Sequence, residues 1–260
     1  PKNARTKWTE GLRIKDALEG VEVLLYTGCA SSYDPRLQKV AKAVASILKV
    51  AGVDFGVLKA EEKCCGDAVY QSGEDAYLEE LVSGNVAAFS KTKASVVVSI
   101  SPHCFNMFKT VYPKYGATFR AAHYTEFIGE LLDAGKIKLN HPVESAVTYH
   151  DPCYLSRYHG IEEPPRKLLE SVKGLKLVEM TNSKENTLCC GGGGGRVFQE
   201  SEGERLSNIR VREAAETGAE ILATSCPYCI QNFEDSVKNE EKSMRVSDVA
   251  EVISASLRSG

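Results

Sequence analysis

Five cysteines in the second half of this 260-residue chain carry the spacing of ligands: Cys153, then Cys189–Cys190, then Cys226 and Cys229. Thirty-five residues separate Cys153 from the pair, and thirty-five more separate the pair from Cys226-Pro-Tyr-Cys229. A C-x-x-C after a strand is a metal chelate or a thioredoxin-like redox pair. Five thiolates exceed the four ligands that a tetrahedral zinc takes. Adjacent cysteines in extended backbone point to opposite sides. They suit a group with several metal atoms, in which neighbouring thiols reach different irons, and iron–sulfur clusters are held by such thiolates.

The Cys189–Cys190 pair runs directly into five glycines in TLCCGGGGGRVF, Thr187 to Phe198. Both residue types are costly there, because glycine loses the most conformational entropy on ordering and unoccupied neighbouring thiols oxidise. A bulky cluster accounts for both. Without side chains, Gly191, Gly192, Gly193 and the two glycines after them let backbone approach the cluster. Their N–H groups can then turn toward its sulfurs, as in anion-binding nests, and the same openness admits a substrate. The competing reading is a flexible linker, but linkers are rarely pure glycine beside a cysteine pair.

The first half repeats the pattern. Ser101-Pro-His-Cys104 stands 125 residues before Cys226-Pro-Tyr-Cys229, Cys64–Cys65–Gly66 stands 125 before Cys189–Cys190–Gly191, and Cys29 stands 124 before Cys153. Three anchors in register across a half-chain identify two homologous halves, joined near KLNHPVESA at 138–146. The first copy is degenerate: Ser101 takes the place of a cysteine, and CCGDAVY replaces the glycine run. Four thiols remain, Cys29, Cys64, Cys65 and Cys104. Serine oxygen is a harder, poorer ligand for iron. This half therefore holds an ordinary four-thiolate cluster, a zinc, or a weakened version of the other site, with a cluster preferred.

The elements that must position these thiols are legible in the periodicity. VEVLLYT (21–27), VDFGVL (53–58) and the almost wholly apolar SVVVSI (95–100) read as strands, the last as one buried on both faces. Leu37, Val40, Val44, Ile47, Leu48 and Ala51 follow helical spacing, and Gly52 is a C-terminal stop. A helix over 74–89, a short one after Pro102, a strand near TFRAAHY and a helix near TEFIGELLDAG complete the half. The second half repeats the order with AVTYH, a helix near 164–172, LKLVEM, a helix over 202–217, AEILATS and a helix after Pro227. Alternating strands and helices predict parallel sheets. The expected fold is α/β, two pseudo-symmetric Rossmann-like three-layer lobes, each carrying one cysteine motif. The expected limits are an N-terminal extension over 1–20, a first lobe over 21–140, and a second lobe with a C-terminal helix over 141–260. Every cysteine group then follows a strand, where open α/β sheets bind ligands.

Composition narrows the function. The chain is 43% hydrophobic and 26% charged, and its net charge of −3 leaves no basic footprint for nucleic acid or anionic membrane. No apolar run reaches the roughly 18–20 residues of a membrane span, and the polar start PKNARTKWTEGLRIKDALEG is not a signal peptide. Nine cysteines, an odd number without an export signal, argue for metal or redox chemistry in a reducing cytoplasm over disulfides. The chain does not begin with Met, which fits processing or a piece of a longer polypeptide.

Other residues near the motifs are weaker candidates. His150, in YHDPC, either donates a proton to a leaving thiolate or a hydrogen bond to cluster sulfur, or simply orders the turn beside Asp151. His159 and Arg196 lie in flanking loops, where surface charge is a better reading than contact with an anionic substrate. His103 packs or supports the ligands from behind, and Tyr26, Tyr149 and Tyr228 read as core aromatics. GERLSNIRVREAAETGAE reads as a helix with a solvated charged face.

Taken together, these motifs resemble a known family over essentially all of residues 10–240. The doubled Cys…CCG…C-P-x-C pattern resembles the CCG domains of the heterodisulfide reductase catalytic subunit. It is also similar to the iron–sulfur subunits of glycolate, lactate and anaerobic glycerol-3-phosphate oxidation, and to a subunit of the sulfite-reduction membrane complex. GVDFGVLKAEEKCCGD, SPHCFNMFK, TYHDPCYLSRYHGI and CCGGGGGRVF look especially like the long membrane-linked members that connect electron-transfer flavoprotein to quinone pools. The resemblance implies a noncubane [4Fe–4S] cluster on Cys153, Cys189, Cys190, Cys226 and Cys229, the disulfide-cleaving site of heterodisulfide reductase. It leaves a second [4Fe–4S] cluster or zinc for the first lobe. Long members also carry a ferredoxin-like CxxCxxCxxxCP module and sometimes a membrane domain, neither of which is in this sequence. Electrons are therefore expected from a ferredoxin-like domain or subunit, a flavoprotein, or a membrane quinone or cytochrome subunit. The expected function is a heterodisulfide-reductase-type electron-transfer oxidoreductase with a disulfide as candidate substrate, working in the cytoplasm or at the membrane's cytoplasmic face through a partner. The alternatives are a relay between a flavoprotein and a quinone-linked partner, and a zinc-stabilised scaffold.

Overall fold

The computed structural model describes residues 2–196 and 203–257. Val197 and Phe198 of the glycine-rich motif, and the expected helix start at 202, lie outside the described residues. The chain divides into two units, Pro1–Leu131 and Leu132–Gly260.

The first unit is built on five parallel strands, β1 (Lys15–Asp16), β2 (Val23–Tyr26), β3 (Phe55–Val57), β4 (Val96–Ser99) and β5 (Arg120–His123), in the order β1-β3-β2-β4-β5. Its helices are α1 (Gly28–Tyr33), α2 (Gln38–Val50), α3 (Asp67–Ser72), α4 (Asp75–Thr92), α5 (Pro102–Thr110) and α6 (Tyr124–Asp133), the last running across the division. The short apolar strands are buried on both faces, as parallel strands between helices must be: Leu24, Leu25, Tyr26 and Val98 are inaccessible to solvent. The stripe read on α2 faces inward, with Val40, Val44, Ile47 and Leu48 buried, and Gly52 follows the helix at φ +67°. Within the stretch expected as an N-terminal extension, Lys15 pairs with Gly56 as an edge strand, and Arg5 and Trp8 are buried.

The second unit repeats the plan with four parallel strands, β6 (Ser145–His150), β7 (Leu175–Leu177), β8 (Ile221–Thr224) and β9 (Arg245–Asp248), in the order β7-β6-β8-β9. Its helices are α7 (Cys153–His159), α8 (Glu163–Glu170), α9 (Leu206–Glu216), α10 (Pro227–Asn239) and α11 (Val249–Leu257). The central strands match between units: Tyr26 of β2 sits opposite Ser99 of β4, and His150 of β6 sits opposite Thr224 of β8. In each sheet the first central strand connects outward on one side and returns on the other. The order therefore reverses between β2 and β4, and again between β6 and β8, and such a reversal opens a crevice beyond the strands' carboxyl ends.

Candidate metal centres

The reversal brings together thiols that are distant in sequence. In the second unit, Cys153 opens α7 directly after β6, Cys189–Cys190 follow β7 through a loop, and Cys226 and Cys229 straddle the start of α10 after β8. The Sγ atoms of Cys190 and Cys229 are 3.2 Å apart. Cys153 is within hydrogen-bonding reach of Cys189, and Cys189 of Cys190. Cys190, Cys226 and Cys229 are buried, whereas Cys153 and Cys189 are half-exposed and mark the open side.

The first unit repeats this arrangement with four thiols. Cys29 contacts Cys64, Cys64 contacts Cys65, and Cys65 contacts Cys104. Cys29 and Cys64 are half-exposed, and Cys65 and Cys104 are buried. Ser101, where a fifth cysteine would stand, is the N-cap of α5, its hydroxyl accepting from the His103 N–H at 3.3 Å. At the matching place Cys226 caps α10 with no side-chain cap hydrogen bond. A cap hydroxyl suits helix entry, so the substitution exchanges a soft ligand for a backbone contact.

The glycines have separate tasks. In each unit the N–H after the pair donates to the pair's first sulfur, Gly66 to Cys64 at 3.4 Å and Gly191 to Cys189 at 3.3 Å. Both glycines have positive φ, +91° and +78°, which disfavours any residue with a Cβ. Gly192 is required by crowding instead: a Cβ there would lie 2.8 Å from Asn232 Nδ2. That amide donates to the Cys190 carbonyl at 2.9 Å, tying the pair's loop to α10. At Gly194 and Gly195 an added Cβ meets nothing within 4 Å.

Buried polar pairs brace the cysteine loops. Arg166 donates to both oxygens of Asp151, at 2.7 and 2.9 Å, and Asp151 also accepts from the Lys184 N–H at 2.8 Å. Glu62 accepts from the N–H groups of Thr27 and Gly28 at 3.0 and 2.9 Å and from Arg5 at 2.6 Å, joining the Cys29 and Cys64 segments. His103 is buried against Asp67, Nδ1 to Oδ2 2.9 Å. Tyr26 and Tyr149 are buried core aromatics, Tyr228 is half-buried, His159 ends α7 half-buried, and Arg196 is exposed.

One expectation is corrected. The charged helix α9 is not solvated throughout, because Arg210 is completely buried and donates from Nε to His150 Nδ1 at 3.1 Å. The signal was in the spacing: Ser207, Arg210, Val211 and Ala214 recur at three and four residues and form the buried stripe. Asn232, the Asp151–Arg166 pair and Glu62 carried no comparable mark.

The thiols repel one another's charge. Hydrogen bonds from Cys153, Cys190 and the Gly191 N–H hold the Cys189 thiol well below its ordinary range. The hydrogen bond to Cys189, then burial, push the Cys153 thiol up, and burial pushes Cys229 up. Five soft donors that cannot all ionise alone match a polynuclear cation, which neutralises thiolates as it binds. A ring nitrogen of His150 and the sulfurs of Cys190 and Cys229 also lie within 4.8 Å of one another. The donor set fits an iron–sulfur group better than a four-coordinate zinc.

Comparison with known proteins agrees with this geometry. The cysteine-rich domain family CCG matches twice, over residues 23–109 and 147–234. The chain belongs to the CCG family. Among CCG relatives, a probable iron–sulfur-binding oxidoreductase, FadF, of Bacillus subtilis is 37% identical over 91% of this chain. EtfAB:quinone oxidoreductase of Syntrophomonas wolfei is 36% identical over 89% of it. A subunit of the dihydromethanophenazine:CoB–CoM heterodisulfide reductase of Methanosarcina barkeri is 34% identical over 91% of it. The chain spans 34% of the length of the first two and 59% of the third. No helix among the described residues is long and apolar enough to cross a membrane.

Proposed function

We propose that this chain is the electron-transferring iron–sulfur portion of a heterodisulfide-reductase-type oxidoreductase. Its second lobe would hold a noncubane [4Fe–4S] cluster on Cys153, Cys189, Cys190, Cys226 and Cys229. The convergence of five thiols at one sheet crevice, against four in the first lobe, carries the reading. When bound, such a cluster supplies one-electron steps at potentials set by its surroundings. The chain's own residues do the rest. Cys190, Cys226 and Cys229 exclude water on the buried side, and half-exposed Cys153 and Cys189 leave the approach open to a disulfide or a redox partner. Gly191 donates its N–H to Cys189, and Gly192 keeps the loop against α10. Cys29, Cys64, Cys65 and Cys104 would hold a second [4Fe–4S] cluster or a zinc.

Reduction of a disulfide consumes two electrons and two protons, so a donor is needed. We take it to be a ferredoxin-like domain or subunit, or a flavoprotein. A second reading has independent support: similarity to an EtfAB:quinone oxidoreductase favours a relay between a flavoprotein and a quinone-linked membrane partner, in the cytoplasm or at its membrane face.

The test is iron, acid-labile sulfide and zinc per chain on protein purified without oxygen. About eight irons with matching sulfide would mean clusters in both lobes, and about four would make the second lobe the redox site. Zinc alone would overturn the proposal and leave a scaffold. Adding a disulfide to the reduced protein separates the two readings, since only the reductase changes its electron paramagnetic resonance spectrum.

A further inference from the structure

We infer that Arg210 is a positioning residue for His150: it fixes the imidazole as the Nε2–H tautomer and presents that N–H to the sulfurs around Cys190 and Cys229. The inference rests on the iron–sulfur reading of the second lobe but concerns residues outside the ligand set.

The tautomer follows from donor chemistry. A guanidinium has only donors, so the 3.1 Å contact from Arg210 Nε requires an unprotonated Nδ1 on His150. In a neutral ring the proton then sits on Nε2. Arg210 cannot swing away, because its other nitrogens donate to the Asn182 carbonyl at 2.7 Å, Glu213 Oε2 at 2.6 Å and Thr187 Oγ1 at 3.1 Å. Two of these acceptors belong to the segment that leads into Cys189–Cys190, so one side chain sets both the loop and the ring. The ring is also held edge-on by Phe233, with centroids 4.7 Å apart at 84°.

The other ring nitrogen is unmatched. His150 Nε2 is buried and has no hydrogen-bond partner among the described residues. Buried donors are nearly always paired. The soft acceptors beside the ring are Cys190 and Cys229, whose sulfurs lie with a His150 ring nitrogen inside a 4.8 Å group. An N–H aimed at cluster sulfur favours the more negative, reduced state and raises the reduction potential. At the two matching positions the first lobe carries Tyr26 and Asn85 in place of His150 and Arg210. Tyr26 takes the register position of His150, but its hydroxyl is spent on the Lys63 carbonyl at 2.6 Å. Asn85, 125 residues before Arg210, donates to the Cys64 carbonyl at 2.8 Å. The His150–Arg210 pair is therefore particular to the second lobe.

The experiment uses the anaerobic full chain labelled with 15N-histidine, as wild type, His150→Gln, His150→Phe and Arg210→Met. Long-range proton–nitrogen spectra read the tautomer, metal analysis reads iron, and a redox titration followed by electron paramagnetic resonance reads the potential. The expected wild-type signal has an unprotonated Nδ1 and a protonated Nε2. Gln places an N–H near the Nε2 position, so His150→Gln should titrate close to wild type. His150→Phe and Arg210→Met should keep their iron and titrate at more negative potential. A wild-type Nδ1–H tautomer would overturn the inference, as would Arg210→Met with full iron and an unchanged potential. If Arg210→Met does not fold, His150→Phe decides, because it removes the same donor while keeping a ring beside Phe233. Absence of iron from the second lobe would sink the proposed function, and the tautomer spectrum would then decide the role of Arg210 alone.

Discussion

Replacing Arg166 with Met should be among the most destabilising substitutions in the second lobe. Arg166 and Asp151 side chains are 4% and 1% exposed and meet through two parallel charge-assisted hydrogen bonds at 2.7 and 2.9 Å. Breaking a buried pair from one side costs about 3–5 kcal/mol, because the surviving charge is stranded. Arg166→Met leaves the Asp151 carboxylate with the Lys184 N–H, which does not neutralise it. Asp151→Asn is milder, since Arg166 keeps Glu179, a carboxylate 39% exposed, at 2.6 Å. Its cost should be about 1.5–3 kcal/mol, that of a charged hydrogen bond. Urea unfolding of the metal-free chain followed by circular dichroism measures both, and the Arg166→Met midpoint should fall by roughly 1–2 M with an unchanged slope. The double variant should recover part of the loss, because no charge is left stranded. A cost below about 1 kcal/mol for Arg166→Met, or a larger cost for Asp151→Asn, would refute the reasoning.

Four further outcomes are expected. Gly192→Ala forces a Cβ to within 2.8 Å of Asn232 Nδ2 and should lower iron retention and cost about 1–3 kcal/mol. Gly194→Ala meets no atom and should keep its iron, losing only the roughly 1–2 kcal/mol of its left-handed backbone, φ +60°. Ser101→Ala removes the α5 cap and should cost about 1 kcal/mol without changing metal content, whereas loss of metal would make Ser101 a ligand. Burial, then the charge of Arg210, holds the His150 pKa well below its ordinary 6.5. The unfolded chain therefore binds a proton there that the folded chain refuses, and stability is present above pH 6.5 and lost as pH falls below it. The slope approaches about 1.4 kcal/mol per pH unit, and His150→Gln should flatten it between about pH 6 and 5 in urea titrations of the metal-free chain. Equal slopes would refute the assignment.

Much of the fold was legible because its signals are local. Apolar runs such as SVVVSI and the stripe on α2 are set by side-chain periodicity within one element. The elements that were missed lack that length. β1 has two residues, β9 is the mixed RVSD, and α1 and α7 span six and seven residues beginning at or beside a cysteine. LKLVEM yields a strand only over Leu175–Leu177. Arg210 was misplaced because charge outweighed spacing in the reading of α9, although the buried stripe was written there.

The sequence by itself determined the repeat and the placement of each thiol after a strand, since these depend on residue types at fixed offsets. Only the tertiary structure decided that β7 and β8 flank β6 on either side, the order in which Cys190 closes on Cys229 at 3.2 Å. It also decided which thiols stay half-exposed, and that Arg210 spends its charge on His150 instead of on water. Those outcomes depend on sheet order and on desolvation by distant segments, and neither leaves a trace in local periodicity.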